Sequence, residues 1–449
     1  MLTAQRPKPA APRLYRFPSF TDEILPSGVR LVVAPVEKLP LVTILVVIDA
    51  GSTIDPPGKE GLATLTADAL LEGTAEFDGA HLTDQFEQLG TAVESGADWD
   101  SAFVKLTVLA DRLDEAAMLL GSAIGNPVFP EREVERLKAE RLAEILQLET
   151  EPRGLADEKF AEFLYAANSR YAKPDAGTAE SVAGLTRSDV ESFFRNNYRP
   201  ASTTVVVTGA TSQTAARSLV TKALSSWKAG AGSARNLIVS PRAESRTVNI
   251  VNKPDAPQSE LRVGHVGLPR KHPDFFPTLV MNAVLGGLFG SRINMNLREA
   301  HGYTYGASSY YDWRRGSGPF VVATAVQSEV TAPALREIFS EIDHIRAEEI
   351  SEEELSLARD YLDGVFPIRY ETTTAIASAL ANLVIYGLSD DYYDTYRTRV
   401  SAVTTDDVLR AAKDHLHPEQ LQTVIVGDAD AVKDSVAQLH FGDLQLHSA

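Results

Sequence analysis

The feature that most constrains this chain is that it repeats itself. Ser188-Asp189-Val190 is followed by Pro200, by Thr204-Val205-Val206-Val207 and by Gly209. Asp406-Asp407-Val408 is followed by Pro418, by Thr423-Val424-Ile425-Val426 and by Gly427. Asp189 and Asp407, Pro200 and Pro418, and Gly209 and Gly427 are each 218 positions apart, so the two units align without a gap. Each reads as a helix, a proline-marked turn, a β-branched strand and a glycine where the chain turns again. A weaker echo, at a separation of about 212, relates Gly90, Val93 and Trp99 to Gly302, Tyr305 and Trp313. A solenoid needs three or more short units, so one pair of long repeats means two duplicated domains. The length of 449 residues agrees, because single cores stop growing near about 250–300 residues. The predicted division is an N-terminal arm over 1–18, a first domain over 19–227, a linker over 228–237 and a second domain over 238–449. The linker rests on the small-residue run from Lys228 to Asn236, and the arm on Pro7, Pro9, Pro12 and Pro18.

Hydrophobic patterning predicts an α+β fold in each half. Segments 29–35 and 41–50 read as a β-hairpin, and 101–110 as a strand. Helices are expected over 60–72, 113–124 and 132–148, the last with Val134, Leu137, Leu142 and Ile145 on one side. The second half repeats the order, with strands over 259–266 and 320–326 and helices over 275–285 and 330–347. Strand and helix runs mix without strict alternation. That favours mostly antiparallel sheets with helices packed on one face.

Composition excludes several functions. The net charge is −18 and no basic run exceeds Arg314-Arg315, which argues against a nucleic-acid partner. There are no cysteines, so disulfides, thiolate catalysis and cysteine-held zinc are excluded. No apolar run approaches the roughly 20 residues needed to span a bilayer. Residues 1–18 lack the apolar core of a signal peptide. The expected compartment is therefore the cytoplasm, with the periplasm as the alternative if a leader has been removed. Gly286-Gly287-Leu288-Phe289-Gly290 has no Lys-Ser/Thr sequel, so it makes a poor phosphate loop. His81 is the only histidine of the first half, and His415 and His417 are expected to be exposed turn residues beside Pro418.

Two segments carry chemistry. Residues 61–74 read Gly-Leu-Ala-Thr-Leu-Thr-Ala-Asp-Ala-Leu-Leu-Glu-Gly-Thr. An inverted zinc motif needs His at i and i+4 of a helix and Glu at i+3 as base. Thr64, Asp68 and Ala67 stand at those positions, and neither Thr nor Ala supplies an imidazole or a base. Glu144, before Ile145 on a later helix, is a further carboxylate 76 positions beyond Asp68. Two carboxylates alone hold zinc poorly, since catalytic zinc takes three protein ligands. The second segment runs from Leu285-Gly286-Gly287 through Ser291-Arg292 and Leu297-Arg298-Glu299 to Gly302-Tyr303-Thr304-Tyr305.

These runs resemble the pitrilysin-like (inverzincin) zinc metallopeptidase family, in its short-chain branch resembling mitochondrial processing peptidase. The resemblance extends from about Phe20 to Leu444. It implies that Glu144 matches the family's third zinc ligand, while positions 64, 67 and 68 have lost the rest, so this chain alone is expected to hold no zinc. It also implies that Arg298 and Tyr305 form a substrate-binding pair. Arginine offers a fork of donors to a peptide carbonyl or carboxylate, and a tyrosine hydroxyl can donate to an oxyanion. The implied function is the non-zinc subunit of a heterodimeric peptidase. Its partner is a homologous subunit with an intact His-x-x-Glu-His motif, which carries the zinc, and its ligand is a peptide. The alternatives are a catalytically dead structural protein of the same fold and a homodimer that only binds peptides.

Overall fold

The computed structural model describes residues 14–227, 237 and 239–448. The first half opens with strands β1 (Thr21–Ile24), β2 (Arg30–Pro35) and β3 (Leu41–Ile48). Helices α1 (Leu62–Ala69) and α2 (Gly79–Gln88) lead to β4 (Val93–Ala97) and β5 (Ala102–Leu109). Then come α3 (Leu113–Gly125), α4 (Glu131–Thr150), α5 (Pro152–Leu164), α6 (Ala179–Ala183) and α7 (Arg187–Asn197). Strand β6 (Thr203–Gly209) and helix α8 (Gln213–Ala223) close this half.

The second half opens with β7 (Thr247–Asn252), β8 (Gln258–Val266), α9 (Phe275–Asn282) and the single-turn α10 (Arg292–Asn294). Strands β9 (Ala307–Tyr311) and β10 (Pro319–Gln327) precede α11 (Thr331–Ala347), α12 (Glu352–Arg369) and α13 (Thr373–Tyr386). The chain ends with α14 (Tyr392–Ala402), α15 (Thr405–His415), β11 (Gln422–Gly427), α16 (Ala429–Ala437) and β12 (Asp443–Ser448).

The duplication holds at every landmark. Helices α7 and α15 begin and end 218 positions apart, each with a capping box, Thr186 with Asp189 and Thr404 with Asp407. The reciprocal bonds of these caps satisfy amides that the first helical turn otherwise leaves open. Sheet order is β1-β2-β6-β3-β5-β4 in one half and β12-β7-β11-β8-β10-β9 in the other. Strands β6 and β11 are buried along their whole length. That is what a run of β-branched residues without polar alternation requires. The weaker echo also has a structural basis. Gly90 and Gly302 both adopt positive φ, at 74° and 65°, just ahead of edge strands β4 and β9.

One expectation fails. The segments read as a hairpin, 29–35 and 41–50, do not pair. Strand β6 lies between β2 and β3, parallel to the first and antiparallel to the second. The physical reason is burial. Strand β6 has no exposed residue and needs a neighbour on both edges, whereas a β2–β3 hairpin would push it to the rim. The parallel β2–β6 and β7–β11 pairs make both sheets mixed.

The α+β, two-domain organisation holds, and the faces of the sheets add a feature. Helices of the first half bury one face of its sheet, through Val33, Ile44, Val46, Val205 and Val207. The opposite face, with Val32, Leu45, Val47 and Val206, shares a core with Ile376, Ala377 and Leu380 of α13 from the second half. Thr208 donates to the carbonyl of Thr373 at 2.8 Å across this contact. Reciprocally, Leu155, Ala156, Phe160 and Phe163 of α5 cover Val251, Val321, Val424 and Val426 of the second sheet. Each half therefore lends one helix to the other.

Polar contacts tie the same seam. The backbone amide of Arg315 donates to Asp100 at 2.9 Å, and its guanidinium bonds Asp49. Arg314 stacks over Trp99 at 4.2 Å and Tyr171 at 4.5 Å. Of the expected arm, residues 1–13 lie outside the described residues. Tyr15 and Phe17 dock on the second half, Tyr15 through its hydroxyl to the Tyr370 carbonyl and Phe17 stacked 4.5 Å from Tyr393. The expected linker lies outside the described residues except for Leu237.

Candidate functional site

Helix α1 is framed with care. Its N-cap, Gly61, sits at φ 92°, and a Cβ there would come within 2.6 Å of the Ala176 carbonyl oxygen. Only glycine fits both demands. The buried Asp55 carboxylate accepts from the amides of Gly61 at 2.9 Å and Ala63 at 2.8 Å, and Arg170 holds it at 3.0 Å. This fixes where residues 64, 67 and 68 fall.

The side chains there do not fit zinc. Ala67 is fully buried and offers no donor. The Thr64 hydroxyl is buried without a hydrogen-bond partner. Asp68 is mostly buried, and its carboxyl is pushed up to about 6, first by that burial and then by the negative charge of Glu144. Glu144 is exposed on α4 and bonded to Arg141 at 3.0 Å. The structure thus brings Asp68 and Glu144 within electrostatic reach. It also sets a guanidinium beside them and holds Asp68 in an environment that favours its neutral form. Catalytic zinc takes three protein ligands, and positions 64 and 67 supply none.

The Arg298 segment is built differently. Helix α9 runs into a π-helical turn over Ala283–Gly287, so the expected helix over 275–285 is present with a wider last turn. A Cβ on Gly286 would stand 2.5 Å from the amide nitrogen of Ser309. The glycines are there for close packing on β9. The Asn282 side chain fastens the same place, donating to the Ser309 carbonyl at 3.0 Å and accepting from its hydroxyl at 2.8 Å. Such π turns cluster at functional sites.

A second π turn, Met295–Ala300, carries Arg298. The guanidinium lies 4.5 Å from the ring of Phe289, which is itself 71% exposed, and its Nε is 3.5 Å from Glu299. Gly302, at φ 65°, turns the chain, and the Tyr303 amide closes onto the Leu297 carbonyl at 2.8 Å. Thr304 bonds both the amide and the carbonyl of Gly306. These contacts anchor the loop on either side of Tyr305, whose side chain is 95% exposed. A tyrosine displayed on a tied-down loop is pre-organised to meet something outside the chain.

One cluster escaped the sequence reading. His415 is the last residue of α15, largely buried, with Nε2 2.7 Å from Asp274. This corrects the expectation that it is an exposed turn residue, because α9 packs against α15 and covers it. The ring of His272 stands 5.0 Å from that of His415. The sequence signal was the His272-x-Asp274 spacing ahead of α9. His417 is about one-third exposed, and its amide approaches Nε2 of the fully buried His265 at 3.3 Å.

Comparison with known proteins bears on the family and the fold. The family model described as "Insulinase (Peptidase family M16)" matches residues 31–174. The model described as "Peptidase M16 inactive domain" matches residues 184–362. This chain belongs to the M16 peptidase family. An uncharacterized zinc protease of Streptomyces coelicolor is 23% identical over 397 residues, covering 87% of this chain and 86% of that protein. A protein of Helicobacter pylori named as a non-peptidase homolog is also 23% identical, over 87% of this chain and 90% of its own. The crystal structure of a peptidase M16 inactive domain from Pseudomonas fluorescens superposes with a TM-score of 0.86 at 24% identity, over 91% of this chain and 98% of that one. Among the described residues of this M16 chain, no helix is long and apolar enough to cross a membrane.

Proposed function

We propose that this chain is the non-zinc subunit of a two-chain M16 peptidase that degrades peptides in a closed chamber. It contributes Arg298 and Tyr305 to a site whose metal is held by a homologous partner with an intact His-x-x-Glu-His motif. The observation that carries this reading is the contrast between the two segments. Ala67 is buried and Thr64 and Asp68 are partly buried, with no imidazole among them, whereas Tyr305 is 95% exposed on a loop braced by Thr304 and Gly302. Arg298 would bind a peptide carbonyl or carboxylate, with Phe289 holding its guanidinium plane. Tyr305 would donate its hydroxyl to the oxygen that gains charge during peptide cleavage. The partner's metal would supply the activated water. The compartment we propose is the cytoplasm, with the periplasm as the alternative.

The test is turnover of the reconstituted pair. Tyr305→Phe should lower kcat by about 10²–10³, the usual loss for one oxyanion donor, with the pair still assembled. Arg298→Ala should mainly raise KM. Unchanged kcat and KM in both variants would make the pair structural. The name of the Helicobacter pylori relative favours a second reading, a dead peptide-binding protein. In that case Arg298→Ala would weaken peptide binding to this chain alone, and no partner would restore cleavage.

A further inference from the structure

The cluster at the junction of α9 and α15 has no part in the function proposed above. A ring nitrogen of His272, a ring nitrogen of His415 and a carboxylate oxygen of Asp274 all lie within 4.8 Å of one another. Among the described residues this is the one group of three metal-ligating side chains so placed. The three side chains come from the segment that leads into α9, with Asp274 as its N-cap, and from the last residue of α15. We infer that His272, Asp274 and His415 form a site for a divalent transition metal that staples α9 to α15.

The chemistry of the donors supports this. Two imidazoles and one carboxylate suit zinc, cobalt and nickel, and disfavour magnesium and calcium, which take oxygen sets. Three protein ligands leave a fourth position for water. With metal–ligand bonds of about 2.0–2.1 Å, donors on a tetrahedral ion stand about 3.4 Å apart.

The existing contacts are ones a metal can replace. Nε2 of His415 shares a proton with Oδ2 of Asp274 at 2.7 Å. With an ion between them His415 stays neutral, its one proton on Nδ1 and its Nε2 lone pair on the metal. Nδ1 of His272 accepts the amide of Asp274 at 3.1 Å, which fixes the ring and leaves Nε2 as its free ligand atom. The competing cation is Arg410, which holds Oδ2 of Asp274 at 2.9 Å. It has two other carboxylates to turn to, Asp407 at 3.7 Å and Asp414 at 3.8 Å. Three carboxylates therefore surround one guanidinium here, and no described hydrogen bond uses Oδ1 of Asp274. Lys271 is turned away, toward Gly387.

The site sits in the second half, on α15 of the repeated unit. It is independent of Asp68 and Glu144, and its test is independent of peptide cleavage. The experiment uses the full chain without an affinity tag, stripped with chelator and titrated with Zn²⁺. Calorimetry, metal analysis after dialysis and thermal unfolding are the readouts, with Co²⁺ absorption as a report on coordination. The expected result is one Zn²⁺ per chain, which departs from the zinc-free chain expected from the degenerate helix alone, with a melting temperature that rises with added Zn²⁺ and cobalt bands of a four-coordinate site. His272→Ala and His415→Gln should each weaken binding by about a hundredfold or more, beyond the 10–100-fold lost with an outer-shell partner. Glu144→Gln should leave binding unchanged. His272→Ala guards against misfolding, since that side chain is only partly buried and lies in the loop before α9. Absence of stoichiometric Zn²⁺ in the wild-type chain overturns the inference. So does binding that survives both histidine variants or falls with Glu144→Gln.

Discussion

Asp68 offers the most direct test of how the degenerate helix is tolerated. Its carboxyl is pushed from the ordinary 3.8 to about 6, chiefly by burial, with Glu144 and Glu72 adding to the effect and Arg141 opposing it. For an acid whose folded pKa is raised, the neutral form is favoured by folding. The stability cost is absent well below the unfolded pKa, grows as pH rises through the interval, and is complete above the folded pKa. At 1.36 kcal/mol per pH unit, the full cost is about 3 kcal/mol above pH 7.5, against about 1 kcal/mol at pH 4.5. Asp68→Asn keeps the shape and removes the charge. The variant should therefore gain about 1 kcal/mol over wild type at pH 4.5 and about 3 kcal/mol at pH 8. At 2–4 °C per kcal/mol for domains of this size, the melting temperature at pH 8 should rise by about 6–12 °C. Chemical denaturation at the two pH values measures the difference directly, and other titrating groups cancel between variant and wild type. A gain that is equal at both pH values, or a loss at pH 8, would refute the argument that burial and Glu144 hold this carboxyl up.

Other outcomes follow from the packing. Residues 14–227 expressed alone should form a soluble folded domain poorly, because Leu45, Val47 and Val206 lose the cover of α13. Co-expression with residues 237–449 should restore a complex that co-elutes on gel filtration. Gly121→Ala places a Cβ against the Ala223 carbonyl between α3 and α8, and should cost about 1–3 kcal/mol in denaturant titration. Gly286→Val should displace the π turn from Ser309 and weaken peptide binding at Arg298 with little change in the first half, as read by hydrogen exchange.

The sequence carried the duplicated architecture because its signal is local. Thr-Val-Val-Val at 204–207 and Thr-Val-Ile-Val at 423–426 can only be buried strands, and the Thr-x-x-Asp caps at 186 and 404 fix the helices before them. The Arg298 run was singled out by resemblance, and the structure adds what its glycines do: Gly286 packs the turn on β9 and Gly302 turns the loop. Strand pairing was not. Strand β6 enters between β2 and β3 from more than 150 residues away, and nothing in residues 29–50 announces it. The helix exchange left one readable trace. Residues 373–386, Thr-Thr-Ala-Ile-Ala-Ser-Ala-Leu-Ala-Asn-Leu-Val-Ile-Tyr, carry no charge, and a helix of that kind must be enclosed on several sides. The His272–His415 cluster was hidden because its members are 143 positions apart and each alone looks like a surface histidine.

The exchanged helices decide which motions this molecule can make. With α5 seated on the second sheet and α13 on the first, parting the halves would strip two apolar faces at once. It would also break the Arg315–Asp100 and Thr208–Thr373 bonds. The chain is therefore a single jaw rather than a pair of jaws on a hinge. If a peptide is to be enclosed against Tyr305, the closing stroke belongs to a second molecule. The rate of entry and release is then set by how two whole chains rock against each other.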